Sequence, residues 1–380
     1  MTSDQPTPDD RDASTPGHVA VQPRWVILVP PVAALFVVLE HLGIVSLHDV
    51  VAQLVAVPVL MATIFCAVHH AEVIAHKVGE PMGSLVLAIA VTVIEVALII
   101  SIMLASPESG SEIARNTVFA AMMIVLTGII GACLLVGGIR FYEQGFQARG
   151  AIGAISVLAT LATLTLILPN YTLAVPGPFY SNGQLIGVGM ASLALYFLFL
   201  FVQSIRHRAH FLDSDGDSEA AEGHGLVVTR RMVTVSLGLL VVSLVAVVMI
   251  AEGLSPAVEG AITAAGLPLS FVGVVIAALI LLPESIAALR AARQNRIQQS
   301  LNLAVGSALA SIGLTIPTIA FASVILGIPL SLGLEDEHTT LLILAVFIST
   351  VTASTGRSTI LQGGVHLVIF AAFLIISAVP

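Results

Sequence analysis

The sequence predicts an all-α polytopic membrane protein of about eleven transmembrane helices, with two inverted-topology repeats. Three observations carry that prediction. Only 10% of the 380 residues are charged and 57% are hydrophobic, with a mean hydropathy of +1.04. A soluble domain carries about 25% charged residues, so this chain cannot clothe a water-facing surface. Its apolar residues also run in blocks of roughly 17–25, the length that crosses a bilayer. Finally, two apolar blocks carry a glutamate inside the membrane, preceded by the same short pattern in opposite orientation.

The predicted spans are residues 25–43, 50–70, 83–105, 117–138, 151–169, 184–204, 232–251, 264–289, 301–328, 339–356 and 360–379. Positive charge orients them, because lysine and arginine concentrate in cytoplasmic loops. Arg11 and Arg24 precede span one, and Lys77 follows span two. Arg140 and Arg149 follow span four; Arg206, Arg208, Arg230 and Arg231 follow span six. Arg290, Arg293 and Arg296 follow span eight, and Arg357 follows span ten. Of the 14 lysines and arginines, Arg115 alone falls on the other side. The amino terminus is therefore expected in the cytoplasm and, with an odd number of spans, the carboxyl terminus outside.

Around these spans the chain divides into four parts. Residues 1–24 lack the basic, apolar and small-residue order of a signal peptide and read as a disordered cytoplasmic tail. Residues 25–204 form a first transmembrane half, 205–231 an acidic cytoplasmic linker, and 232–380 a second half. Within the linker, FLDSDGDSEAAEGHG resembles a calcium loop only in composition. Counting from Asp213, glycine falls fourth and His224 twelfth, whereas an EF-hand needs glycine at six and glutamate at twelve. The 2 cysteines, Cys66 and Cys133, lie in apolar context and offer no disulfide framework.

Glu95 sits about twelve residues into the apolar run SLVLAIAVTVIEVALIISIML. A charge near mid-bilayer costs about 2.5–3.5 kcal/mol on insertion scales, so such a residue marks function by default. Glu284 follows Pro283 in FVGVVIAALILLPESIAALRAAR. Proline has no amide hydrogen to donate and breaks or kinks a helix interior, and broken helices near the midplane recur in transporter sites.

The two regions share a pattern. Glu72, Gly79 and Pro81 precede Glu95 as Glu259, Gly266 and Pro268 precede Glu284. The charge-derived topology runs span three outward and span eight inward, so the elements are inverted, as in transporters that rock about a midplane site. Two facing carboxylates suit a hard divalent cation. They equally suit protons, since like charges raise each other's affinity for hydrogen ions. Cation and proton would compete for one set of ligands. No GxxxxGK[ST] loop is present, so ATP is not an expected partner; nor is nucleic acid. The expected partners are the lipid bilayer, cations and protons, with no cofactor.

Polar neighbours extend the candidate site. Thr92 lies three residues before Glu95 on the same helical face. Span nine carries Asn302, Ser307, Ser311 and Thr315 in an otherwise apolar run, of which Asn302 and Ser307 are the predicted cation ligands. At the cytoplasmic mouth of span three, HHAEVIAHKVGEP places His69, Glu72 and His76 at zinc-like spacing, with Cys66 one turn before. No histidine stands at position 74, so the HExxH of a metalloprotease is absent. The histidines have no counterparts in the second repeat. His69, His70 and His76 therefore read as cytoplasmic pH sensors, and Glu72 and Glu259 as access or gating residues.

The stretches GEPMGSLVLAIAVTVIEVALI and LLPESIAALRAARQNRIQQSLNLAVGSALASIGLTIP resemble the two alpha repeats of the calcium/cation antiporter superfamily, in its bacterial calcium (sodium, potassium)/proton antiporter branch. The resemblance implies ten or eleven spans in two inverted halves, an acidic segment between them, and central glutamates at Glu95 and Glu284. It further implies a secondary antiporter of the bacterial inner membrane that exports calcium, and also sodium or potassium, for protons; it implies no enzyme. Many members carry Gly-Asn-x-x-Glu at the central carboxylates. This chain has Val91-Thr92-Val93-Ile94-Glu95 and Ile280-Leu281-Leu282-Pro283-Glu284, so both amide oxygens are missing there. A cation channel with an acidic constriction is the rival within transport, and an intramembrane metalloprotease the rival among enzymes.

Overall fold

The computed structural model describes residues 22–79, 82–105, 110–211 and 229–379. Most of the predicted tail, most of the acidic linker and Pro81 lie outside these residues. Helices α1 (Arg24–His41), α2 (Val50–Val78) and α3 (Met82–Ala105) come first. The fourth span joins α4 (Gly110–Met123) to α5 (Ile130–Phe141) through a π-helical stretch, Ile124–Ile129. Helices α6 (Ala148–Ala162) and α7 (Asn182–Phe201) complete the first half. The second half holds α8 (Arg230–Ala264), α9 (Phe271–Ile280), α10 (Leu282–Arg293), α11 (Ile297–Ala310), α12 (Ile316–Leu326), α13 (Asp336–Thr355) and α14 (Ile360–Ala378). Among the described residues, 10 helices are long and apolar enough to cross a membrane, and the bent pair α9–α10 makes up to 11. Each predicted span coincides with one of these.

Local chemistry sets several helix ends. Ser181 caps α7 and Thr359 caps α14, each in a reciprocal box with the glutamine three residues on. The α9–α10 break, bent by 57°, falls where Pro283 enters the first turn of α10. Its missing N–H withdraws the donor that any other residue at 283 would bring to the carbonyl of Leu279. Gly79 after α2 and Gly266 after α8 have φ of +76° and +73°, a region that costs glycine least. The repeated glycine is thus a turn-former in both halves.

The inversion is visible in the packing. Near the end of α3, Ile102 clusters with Val272 at the start of α9. Near the middle of α3, Thr92 and Glu95 share a cavity with Ile280 and Leu281 at the end of α9. The two helices therefore run antiparallel. Gly273 makes another crossing possible: a Cβ there would stand 2.8 Å from the Thr117 amide nitrogen, so α9 lies directly on the α4 backbone.

Two apolar cores flank this crossing. The smaller joins α1, α2 and α8 to Ala90, Ile94 and Leu98 on one face of α3, and to Ile280 of α9. The larger holds the remaining helices together with Val96, Ile99 and Met103 on the other face of α3. Helix α3 is thus sandwiched between two bodies, and Glu95 lies at their boundary.

Candidate functional site

Glu95 is 4% exposed. Apolar neighbours occupy both sides of α3, so its carboxylate depends on the few polar groups that reach it. Ser311 donates its hydroxyl to Oε1, and Thr315 donates to Oε2 at 2.7 Å. Both hydroxyls belong to a π-helical stretch, Ser311–Thr315, between α11 and α12. Such single π turns occur mostly at functional positions, because the wider turn re-aims side chains. Thr92, Ser307 and Ser311 line the cavity that holds Glu95, so hydroxyl-bearing residues of α3 and of the α11–α12 helix share that cavity.

Glu284 stands in the first turn of α10, immediately past the bend. The positive end of that helix dipole favours a carboxylate there. Its Oε2 is sealed from solvent and has no hydrogen-bond partner among the described residues. The site is therefore asymmetric. The π turn Ile124–Ile129 of the first repeat supplies Glu284 with nothing comparable, since its one hydroxyl, Thr127, donates back to the carbonyl of Met123.

The remaining predicted residues lie elsewhere. Asn302 donates to the Phe211 carbonyl at 2.6 Å and accepts from Gln298 at 2.9 Å, lining a separate cavity that also contains His366. Glu72 is exposed on α2, and Glu259 on α8 accepts a hydrogen bond from Ser255 at 3.1 Å. His70 is buried with Nε2 3.1 Å from the Val26 carbonyl. Its ring meets that of His69 edge-on at 5.9 Å, while His76 is exposed. Among the described residues no three metal-binding side chains converge, so the zinc-like spacing of Cys66, His69, Glu72 and His76 does not become a zinc site.

Ser311 and Thr315 stand in the sequence among the polar residues of the same apolar helix as the expected ligands Asn302 and Ser307. Helical geometry separates them. Asn302 precedes Ser311 by nine residues, about two and a half turns at 3.6 residues per turn, which puts it on the opposite face. Ser307 precedes Ser311 by about one turn and shares its face.

A multi-helix membrane protein with a buried carboxylate clasped by hydroxyls, and a second carboxylate at a broken antiparallel helix, has the build of a cation transporter. Residues 48–205 and 235–379 match the family model described as sodium/calcium exchanger protein. The chain belongs to that family and is a membrane transporter, not an enzyme. It is 46% identical over 358 residues to the Sinorhizobium fredii (strain NBRC 101917 / NGR234) protein y4hA, named only for ionic transport, covering 94% of this chain and 97% of that one. It is 32% identical over 349 residues to the sodium-potassium/proton antiporter ChaA of Escherichia coli (strain K12), covering 91% and 94%. Its fold matches the crystal structure of the Ca2+/H+ antiporter protein YfkE with a TM-score of 0.70 at 16% identity, covering 93% of this chain and 99% of that one.

Proposed function

We propose that this protein is a secondary antiporter that exports calcium, and also sodium or potassium, in exchange for protons by alternating access. The observation that carries the proposal is the clasp on Glu95, both of whose oxygens are held by hydroxyls in a cavity that reaches Leu281, three residues before Glu284. Carboxylate and hydroxyl oxygens are the ligands that hard cations accept. Protons bind the same carboxylates, so occupancy by one excludes the other. That exclusivity couples an outward cation flux to an inward proton flux without ATP. Glu95 and Glu284 act as the shared ligands, with Thr92 and Ser307 completing the shell and Ser311 and Thr315 holding Glu95 in place. The relative ChaA, named for sodium-potassium/proton exchange, supports the monovalent part of the cargo; the paired carboxylates support calcium.

The two apolar cores on either side of α3 supply the moving parts. Sliding of the α1–α2–α8 body against the larger one would expose the Glu95 cavity to either side in turn. In this reading the chain sits in a bacterial inner membrane with its arginine-rich loops in the cytoplasm and residues 205–231 as the link between halves 25–204 and 232–380. Glu72 and Glu259 then lie on the α2 and α8 helices of the moving body, as access or gating residues.

The test is uptake into everted membrane vesicles whose interior is acidified. Calcium, sodium and potassium are supplied in turn, and acid-driven accumulation of at least one is expected. Accumulation of none, with the protein present and folded, would refute antiport. In the same assay, glutamine at His69, His70 and His76 together should shift the dependence of transport on cytoplasmic pH, because imidazole is the side chain that titrates near neutrality. An unchanged profile would leave these residues structural, as the bond from His70 to Val26 already suggests for that one.

A further inference from the structure

Helices α7 and α14 stand five spans apart, one in each half, and carry the same spacing of residues. Gly189, Ser192, Tyr196 and Phe199 on α7 recur as Gly363, His366, Phe370 and Phe373 on α14. Each helix lies against the π turn of the other half. A Cβ on Gly313 would stand 2.8 Å from Cδ2 of Tyr196, and one on Gly128 would stand 3.2 Å from Cε2 of Phe370. Both rings therefore rest directly on turn backbone. Spacing in the sequence and contact in the fold agree at two places related by the inversion.

The two contacts differ in what supports them and in what their turns carry. The turn Ile124–Ile129 is held a second time by His366. A carbonyl only accepts, so Nδ1 donates to that of Leu126 at 2.7 Å, and Nε2 accepts from Thr352 at 3.0 Å. Its counterpart on α7 is Ser192, whose buried hydroxyl has no partner among the described residues. What α7 offers the turn Ser311–Thr315 is thus the Tyr196 ring, 2% exposed. Yet this is the turn whose hydroxyls reach Glu95. A π turn is a rare alternative to the α turn. Slipping its register by one residue swings a side chain about 100° around the axis, at 3.6 residues per turn. Such a swing would carry Ser311 or Thr315 off the carboxylate.

We propose that Tyr196 is a positioning residue for the cation site, its ring keeping the Ser311–Thr315 turn in the register that aims both hydroxyls at Glu95. Tyr196 does not line the cavity around Glu95, so it acts through the turn. The ring edge and its root make the contact, not the phenol oxygen: the atoms nearest a Cβ on Gly313 are Cδ2, Cβ and Cγ. Phenylalanine therefore serves equally well, as it does at position 370 in the other half. An aliphatic side chain has no flat face to lay on the glycine and lets the turn slip.

The proposal rests on the antiport reading for its flux readout, so a spectroscopic readout that needs no transport accompanies it. In everted vesicles, with calcium, sodium and potassium supplied in turn, Tyr196→Phe should match the wild type for each ion exchanged. Tyr196→Leu should lower apparent cation affinity about tenfold, the effect of losing a hydrogen bond to an ionised ligand. The rate at saturating cation should be retained, because binding and not the later steps is altered. Added to Ser311→Ala with Thr315→Val, Tyr196→Leu should cost nothing further, since its effect runs through those hydroxyls. The second readout is the infrared carboxyl band of Glu95, identified by its loss in Glu95→Gln. Hydrogen bonding displaces that band, so Tyr196→Leu should move it to where it lies without the two hydroxyls, and Tyr196→Phe should leave it in place. If Tyr196→Leu does not fold, Gly313→Ala, which drives a methyl group into the ring, is read in its stead with the same band shift expected. A wild-type band in the folded variant, or a full further loss of affinity in the protein lacking both hydroxyls, would overturn the proposal. Absence of exchange by the wild type would instead count against antiport, and the band would still decide the role of Tyr196.

Discussion

Glutamine in place of Glu95, or in place of Glu284, reduces acid-driven cation uptake to background. Glutamine keeps the volume and one acceptor oxygen, so the helices around α3 and α10 need not repack. What it removes is the negative charge that holds the cation and the group that carries the proton. At Glu95 the substitution also confronts one of the two hydroxyl donors, Ser311 or Thr315, with an amide N–H. Membrane abundance and melting temperature should stay close to wild type, which separates lost chemistry from lost fold. Full exchange in both variants would rule out shared carboxylates.

The second large effect belongs to the clasp itself. Removing both donors, Ser311→Ala with Thr315→Val, strips Glu95 of its hydroxyl partners while leaving its charge. A hydrogen bond to an ionised group contributes about 1.5–3 kcal/mol, and about 1.4 kcal/mol corresponds to one pH unit. The donors favour the ionised form of Glu95. Without them protons compete better with the cation, so the pH of half-maximal uptake moves upward by about one unit or more. Apparent cation affinity at fixed pH falls about tenfold or more. An unaltered pH profile and affinity would mean that the two hydroxyls serve packing alone.

Much of this arrangement was legible before any coordinates. Hydropathy and arginine placement delimit the spans because burying charge is costly and cytoplasmic loops retain cations. Glu95 and Glu284 stand out for the same reason, and Pro283 announces the bend because its missing N–H has a fixed consequence. The support around Glu95 was harder to read. Asn302, Ser307, Ser311 and Thr315 share one apolar helix, and composition alone does not tell which of them reach Glu95. Only the helical face separates them, and the π turn at Ser311–Thr315 re-aims that face locally. The asymmetry of the pair was equally hidden. Both glutamates follow the same Glu, Gly and Pro pattern, yet α3 runs unbroken through Glu95 whereas Glu284 begins a new helix. The histidine spacing does not reveal depth: His69, Glu72 and His76 share a face in sequence, but His70 is buried and His69 half-buried while Glu72 and His76 remain exposed.

The central claim is that cation and proton occupy the same carboxylates. Calcium, sodium and potassium should each be titrated in turn into the purified protein in weakly buffered detergent solution, with free protons recorded as the cation binds. The account predicts proton release that accompanies binding of at least one of these ions, grows as the starting pH is lowered through the range where the carboxylates hold protons, and disappears in Glu95→Gln. Saturable cation binding with no release of protons at any pH would contradict it.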